Sequence, residues 1–512
     1  MTETEPPSRA DGELGRAARG GAITLVGAGL SAVLGFALSF LMARALGADG
    51  VGVVWQAIAA FTIVMSLARL GLDTTAVWLL PQLMSLDRSQ VRGAVVGLLV
   101  PAFVLPCLVT AGWFVFRAVW ATGDRDTPVI DAISVVAIFL PAACVMTVAL
   151  ASTRAFGGVV PFNLIGNILV PALRPVLIVG AVAAGGSTTA VALGWATPWL
   201  VGMVLALAVL LRKVTRVNRG QGGGWRTGRA MYGRIFRFSL PRVLASGLDQ
   251  TITWLDVILV GIIAGPTAAG VYGSVSRFVN AGVVVATAFR IVVAPRFSAL
   301  LSEGKPAEVG RLYAVTARWI LLFGAPAYII LATFAPTVLG WLGAGFSDGV
   351  ASMIVLCFGS IVVLSAGNVQ SLLLMSGRSA ASAQNKAIVV AFNVAGNLLL
   401  VPLVGIIGAA SVWAASMVLD TALAAWQVRR STGLSLEFGS IAYVATVVTL
   451  CVAVPAVAVA LVLGQGTWQL IVAVVLGGMV LLGYAFLDRR RLELGELRHI
   501  RRPTATGSPS SS

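Results

Sequence analysis

The stretch Arg212–Arg242, RKVTRVNRGQGGGWRTGRAMYGRIFRFSLPR, decides how this chain is read. It holds nine cations (Arg212, Lys213, Arg216, Arg219, Arg226, Arg229, Arg234, Arg237 and Arg242) and no acid, and Gly222, Gly223 and Gly224 loosen its middle. Apolar segments of membrane-spanning length lie on both sides. Lys and Arg next to a span resist translocation, so such a loop stays on the cytoplasmic side. It reads as the hinge between two halves of a polytopic membrane protein.

Composition agrees. The 512 residues are 58% apolar and only 11% charged, with a mean hydropathy of +0.94. A soluble protein has no means of covering that much apolar surface with polar groups. A formal charge of +16 would suggest nucleic acid in a soluble protein. Here the cations sit in loops, so topology explains them and no nucleic-acid partner is expected. Cys107, Cys144, Cys357 and Cys451 all fall in apolar segments without paired spacing, and read as packing residues. The start of the chain, with Glu3, Pro6, Pro7, Asp11 and Glu13, does not read as a cleavable signal peptide. The tail Pro503 to Ser512 reads as disordered.

A span needs about 20 largely apolar residues. That rule gives an all-α membrane protein with fourteen transmembrane helices, at 21–43, 51–70, 94–116, 130–151, 161–184, 189–211, 238–263, 268–290, 314–340, 350–375, 387–403, 406–428, 440–463 and 468–487. With the N-terminus inside, 31 of the 36 Lys and Arg fall on the cytoplasmic side. Both termini are therefore expected in the cytoplasm.

The two halves repeat. Gly47-Ala48-Asp49-Gly50-Val51-Gly52-Val53 joins spans one and two; Gly265-Pro266-Thr267-Ala268-Ala269-Gly270-Val271 joins spans seven and eight. Phe162-Asn163-Leu164-Ile165-Gly166-Asn167 opens span five, and Phe392-Asn393-Val394-Ala395-Gly396-Asn397 lies in span eleven. The offsets, 218 and 230 residues, both pair a span with the sixth one after it. Six is even, so the halves share an orientation, which is the parallel-repeat plan of a transporter with its site between the repeats. The expected organisation is a cytoplasmic segment 1–20, an N-lobe 21–211, a basic linker 212–237, a C-lobe 238–428, two further helices within 440–487 and a cytoplasmic tail 488–512.

Ionisable groups inside spans cost roughly 2.5–3.5 kcal/mol each at mid-bilayer and usually face a cavity or a partner. Arg174 lies mid-span between Pro171 and Pro175, which free nearby carbonyls. It is held either by those carbonyls or an Asp, or it binds an anion, since guanidinium matches phosphate geometry. Asp249, Thr253 and Asp256 form one stripe of span seven; Ser274, Arg277 and Asn280 form another on span eight. Asp256 and Arg277 read as a helix–helix pair or as substrate or cation-coupling groups, and Asp420 is a lone carboxylate of the same kind. Asn163, Asn167, Asn393 and Asn397 read as helix-to-helix hydrogen-bonding groups, or as the lining of a sugar path. Arg69 and Asp73 read as an interfacial pair, and Trp55, Trp78, Trp113, Trp120, Trp341 and Trp468 as an interfacial belt.

No P-loop and no HExxH is present, and the one histidine, His499, is in the tail. No cofactor and no metal are expected, and any energy must come from a gradient. No loop besides the acid-free hinge is long enough to hold a glycosyltransferase or polymerase site, so an enzyme is not expected.

Leu46-Gly47 followed by Gly52, and Phe238-Ser239-Leu240-Pro241 followed by Asp256, Gly270, Tyr272 and Arg277, resemble the polysaccharide flippases of the multidrug/oligosaccharidyl-lipid/polysaccharide exporter superfamily. So does the run Asn393-x-x-x-Asn397 through Leu400, Pro402, Gly405 and Gly408-Ala409-Ala410. The similarity covers residues 20 to about 430. It implies paired six-helix bundles that flip an undecaprenyl-pyrophosphate-linked oligosaccharide by alternating access, outward, with a polysaccharide polymerase or ligase as a partner. On that resemblance Arg174 and Arg277 meet the pyrophosphate, while polar groups, among them Asn163, Asn167, Asn280, Asn393 and Asn397, line the sugar path. Two relatives compete. Multidrug exporters of the superfamily commonly carry an acid in the first helix, and 21–43 has none. Lipid II flippases carry cavity arginines in the first helices, whereas Arg44 lies only at the outer end of the first span.

Overall fold

The computed structural model describes residues 9–120, 127–219, 224–282, 284–433 and 438–488. The tail read as disordered and the first residues of the chain lie outside them. Every regular element among the described residues is helical. In order these are α1 (Arg9–Ala68), α2 (Leu72–Leu86), α3 (Val91–Trp120), α4 (Pro128–Ala137), α5 (Leu140–Ala155), α6 (Val170–Ala183), α7 (Thr188–Val217) and α8 (Arg229–Ala281). There follow α9 (Val284–Ser302), α10 (Pro306–Thr333), α11 (Ala335–Gly340), α12 (Val350–Ser365), α13 (Val369–Met375) and α14 (Ser379–Thr432). The chain closes with α15 (Phe438–Val448), α16 (Val454–Val462) and α17 (Thr467–Leu487). Wide π-helical turns at Phe162–Leu169 and Thr449–Ala453 lead into α6 and α16.

Ten of the described helices are long and apolar enough to cross a bilayer, or eleven if the bent pair α4–α5 is one span. The chain is a multi-pass membrane protein. Fourteen spans are expected from the sequence; three of the helices counted once here carry a break at a glycine. Gly47 (φ 67°) breaks α1, Gly265 (φ 89°) breaks α8, and Gly405 (φ 60°) breaks α14, each where the sequence reading placed two spans. A positive φ at these points suits glycine, because a Cβ would crowd the following carbonyl.

The repeated motif packs against its own counterpart. A Cβ on Gly52 would overlap the Pro266 carbonyl and lie 2.8 Å from the Gly270 nitrogen. One on Gly270 would overlap the Ala48 carbonyl and lie 3.0 Å from the Gly52 nitrogen. Ala48 matches Pro266 and Gly52 matches Gly270 in the repeat, so the contact is reciprocal. Thr267 Oγ1 donates to Asp49 Oδ1 at 3.1 Å, again between equivalent positions. At the two glycines no side chain intervenes and the two backbones touch.

The chain forms two compact units: Met1–Val284 with Leu339–Leu356 and Ala380–Asp420, and Val285–Val338 with Cys357–Ser379 and Thr421–Ser512. The first holds a large core of Leu72, Leu79, Leu80, Leu98, Val148, Leu210 and Ile235 among others. The second is built on Phe297, Tyr313, Leu372 and Leu373, with a smaller cluster where Phe334 meets Ala456, Val459 and Ala473. All four thiols are free, and Cys144, Cys357 and Cys451 are buried, as packing residues would be.

Candidate functional site

A cavity of about 290 Å³ opens within the first unit, between the two legs of α1, α6, α7 and α8. Arg174, Arg277 and Asn280 all line it, with Ser39, Trp55, Trp195 and Trp254. The π-helical turn at Phe162–Leu169 immediately precedes α6, which carries Arg174.

Of the alternatives the sequence offers, the helix-pairing contacts are not formed among the described residues. Arg174 is bonded there to neither a freed carbonyl nor an Asp; its guanidinium lies over Trp195 at 4.5 Å and Trp199 at 5.2 Å. Arg277 does not pair with Asp256. It lies over Trp254 at 3.8 Å and Trp55 at 5.8 Å, and reaches only the Ser276 hydroxyl, at 3.4 Å. Trp55 is buried and donates to Ser274 Oγ at 3.2 Å, so it belongs to this site and not to an interfacial belt. An indole face returns about 0.5–2 kcal/mol to a cation and so offsets part of the cost of holding it in an apolar setting. Unlike a carboxylate, it uses none of the guanidinium hydrogens and leaves the positive charge in place. Arg174 Nε, Arg277 Nε and Trp199 Nε1 are buried donors without an acceptor among the described residues. The cavity is thus lined by two cations with unused donors, and its lining holds no carboxylate.

Asp256 sits in a second polar cluster. It accepts from Tyr272 Oη at 3.2 Å and from Asn397 Nδ2 at 3.0 Å. Asn397 also bonds Asn393, which donates to Ser416 Oγ at 3.3 Å. Asn397 Oδ1 is buried with no donor among the described residues. A void of about 10 Å³ adjoins the cluster, lined by Thr253, Asp256, Tyr272, Ser276 and Asn280 among others. Asn280 therefore borders both sites. Toward the start of α14, Lys386 Nζ lies 2.8 Å from Asp420 Oδ2 and 3.5 Å from Asp249 Oδ1.

The remaining candidates are placed elsewhere. Asn167 donates to Asn163 Oδ1 at 2.8 Å, and Asn163 packs against Gly27 of α1. Neither they nor Asn393 and Asn397 are among the residues lining the larger cavity. Arg69 and Asp73 form their expected pair at 3.3 Å. Sequence reasoning missed the tryptophans at 195, 199 and 254 and the Lys386 clamp. The stacking partners lie tens to hundreds of positions from their arginines, and only the i, i+7, i+11 register of Lys386, Asn393 and Asn397 was there to be read.

Broken helices around a cationic cavity in the first unit define a class. The fold is that of the multidrug/oligosaccharidyl-lipid/polysaccharide exporter superfamily. It is similar to a structure of "Lipid II flippase MurJ, inward closed conformation" (TM-score 0.72, 10% identity, 91% of this chain and 99% of that one). It is also similar to an inward-facing multidrug resistance transporter of the MATE family (TM-score 0.65, 15% identity, 79% and 94%). The family described as "Polysaccharide biosynthesis protein" matches residues 17–301, and the chain belongs to that family. A curated relative from Haloferax volcanii, "Probable low-salt glycan biosynthesis flippase Agl15", is 23% identical over 252 residues, 48% of this chain. The chain spans about half the length of that relative, 51%.

Proposed function

We propose that this protein is a flippase, a transporter and not an enzyme. It moves an undecaprenyl-pyrophosphate-linked oligosaccharide repeat unit across a bacterial cytoplasmic membrane by alternating access, for surface polysaccharide synthesis. The observation that carries this reading is the pair Arg174 and Arg277 in one cavity, each backed by indoles and free of carboxylates. A pyrophosphate offers the acceptor oxygens that these donors lack. Asn280 and Ser39 supply polar contacts for the attached sugar. Both termini face the cytoplasm, and a polymerase or ligase takes the flipped unit. The N- and C-lobes expected from the repeat are the bodies that rock about the site.

Asp256 is the coupling group in this reading. Its carboxylate accepts from the Asn397 amide and borders a small void, where a proton or a monovalent cation is taken up. Asp249 and Asp420, clamped on Lys386, either belong to the same path or hold the helices together.

The test is a deletion strain in which surface glycan and lipid-linked intermediates are measured together. Loss of a surface polysaccharide, with its repeat unit trapped on the cytoplasmic face, is the expected result. Trapped lipid II would assign the protein to peptidoglycan precursor transport. Normal glycan with new sensitivity to cationic drugs would make it a multidrug exporter, with Arg174 structural.

A further inference from the structure

The first leg of α8 runs from Arg229 to the break at Gly265. At 1.5 Å per residue that is about 54 Å, against a hydrocarbon core of about 30 Å. With the span at 238–263, the turns Arg229–Arg237, about 13 Å, stand at headgroup depth. One side of these turns is committed to packing. Ile235 is buried, Arg234 Nη2 donates to Gln82 Oε1 at 2.7 Å, and Phe238 stacks on Trp78 at 3.9 Å.

The opposite side is bare. Arg229, Gly233, Arg237, Leu240 and Leu244 are all exposed, Leu240 at 59% and Leu244 at 68%. At 100° per residue they fall within about 80° of arc, so they form a single stripe. It is basic over its first turns and apolar after them, which is the outline of an amphiphile. Glycine weakens a helix interior relative to alanine, and a Cβ on Gly233 would meet nothing within 4 Å. No packing demand accounts for this glycine. It leaves bare backbone between two guanidiniums, neither of which is paired with another described residue.

We propose that this stripe binds an anionic phospholipid of the surrounding membrane. The phosphate lies between Arg229 and Arg237 above Gly233, and an acyl chain follows Leu240 and Leu244. Charge complementarity selects the occupant: two cations without a counter-ion favour a net anionic headgroup over a zwitterion. The proposal is independent of what the central cavity carries.

Native mass spectrometry of the purified full-length protein tests it, with phosphatidylglycerol and phosphatidylcholine added in equal amount. Two arginines at a membrane surface correspond to a preference of about thirtyfold for the anionic lipid. Arg229→Gln with Arg237→Gln is expected to abolish that preference. Gly233→Leu is expected to abolish it too, with the charge unchanged and the gap filled. Arg429→Gln with Arg430→Gln, basic residues on another helix, should leave it intact. Equal retention of the two lipids by the wild type, or a preference that survives the double Arg229/Arg237 change, overturns the proposal. Displacement of phosphatidylglycerol by equimolar undecaprenyl pyrophosphate also overturns it, and would make the stripe a capture point for a pyrophosphate lipid.

Discussion

Arg174 and Arg277 lie on indoles, not on carboxylates, and the chemistry of the cavity follows from that choice. Arg277→Ala is expected to lower flipping more than Arg277→Lys, measured as accumulation of the lipid-linked repeat unit. Equal loss from both would show that the planar bidentate fork, or packing alone, matters more than charge. Asp256→Asn keeps an acceptor for Tyr272 and removes the charge, so it should slow gradient-driven flipping while leaving substrate retention unchanged. Loss of both would mean that Asp256 holds the fold. Outside the membrane, Asp87 accepts from the Ser89 hydroxyl, Gln90 and the Ser89 amide, and these bonds hold its carboxyl below the ordinary value. A depressed folded pKa stabilises above the unfolded carboxylate range and is lost as pH falls through the folded value. Amide exchange at the start of α3 should therefore be faster in Asp87→Ala than in the wild type at neutral pH. The two should converge once the wild-type carboxyl is protonated. That both arginines lie in apolar segments was legible from sequence, because it depends only on the residues around them. Their partners were not, because a stacked pair leaves no local spacing to read. Asp256 and Arg277 looked like an ion pair, since opposite charges on consecutive spans usually are; Tyr272 and Asn397 took the carboxylate instead.

At the scale of the element, glycines set the architecture. Gly52→Ala and Gly270→Ala each push a methyl into the opposing backbone, and a clash with backbone cannot relax by rotating a side chain. Both should lower the melting temperature of the detergent-solubilised protein or prevent its accumulation. Gly112→Ala, at a site with nothing within 4 Å, should be neutral or slightly stabilising. Equal behaviour of the three variants would mean that the seam contributes nothing to stability. The repeat that pairs Gly47 with Gly265 was legible because a left-handed break leaves a glycine in the sequence. That the two copies touch each other was not, since sequence similarity carries no distance. The wide turn at Phe162–Leu169 was also hidden: Asn163 and Asn167 match Asn393 and Asn397 in sequence, yet the latter pair lies in regular helix.

At the scale of the whole molecule, the distribution of Lys and Arg makes a topological claim. A fluorescent protein fused after Ser512 should fold and glow, and alkaline phosphatase fused there should stay inactive, because a C-terminus in the cytoplasm favours the first and not the second. With the N-terminus inside, the opposite result would require an odd number of spans and break the alternation. The seam also has a history written into it. A patch in which each residue meets the counterpart of its own partner is what two identical subunits make across a rotation axis. Gly52 against Pro266 and Gly270 against Ala48 is that contact in a fused chain. A six-span ancestor that paired with itself, later duplicated and joined by a tether, would leave this imprint. The tether would then be dispensable for assembly. Two fragments, cut within 220–223 and expressed together, should find each other and restore the surface glycan that either alone cannot.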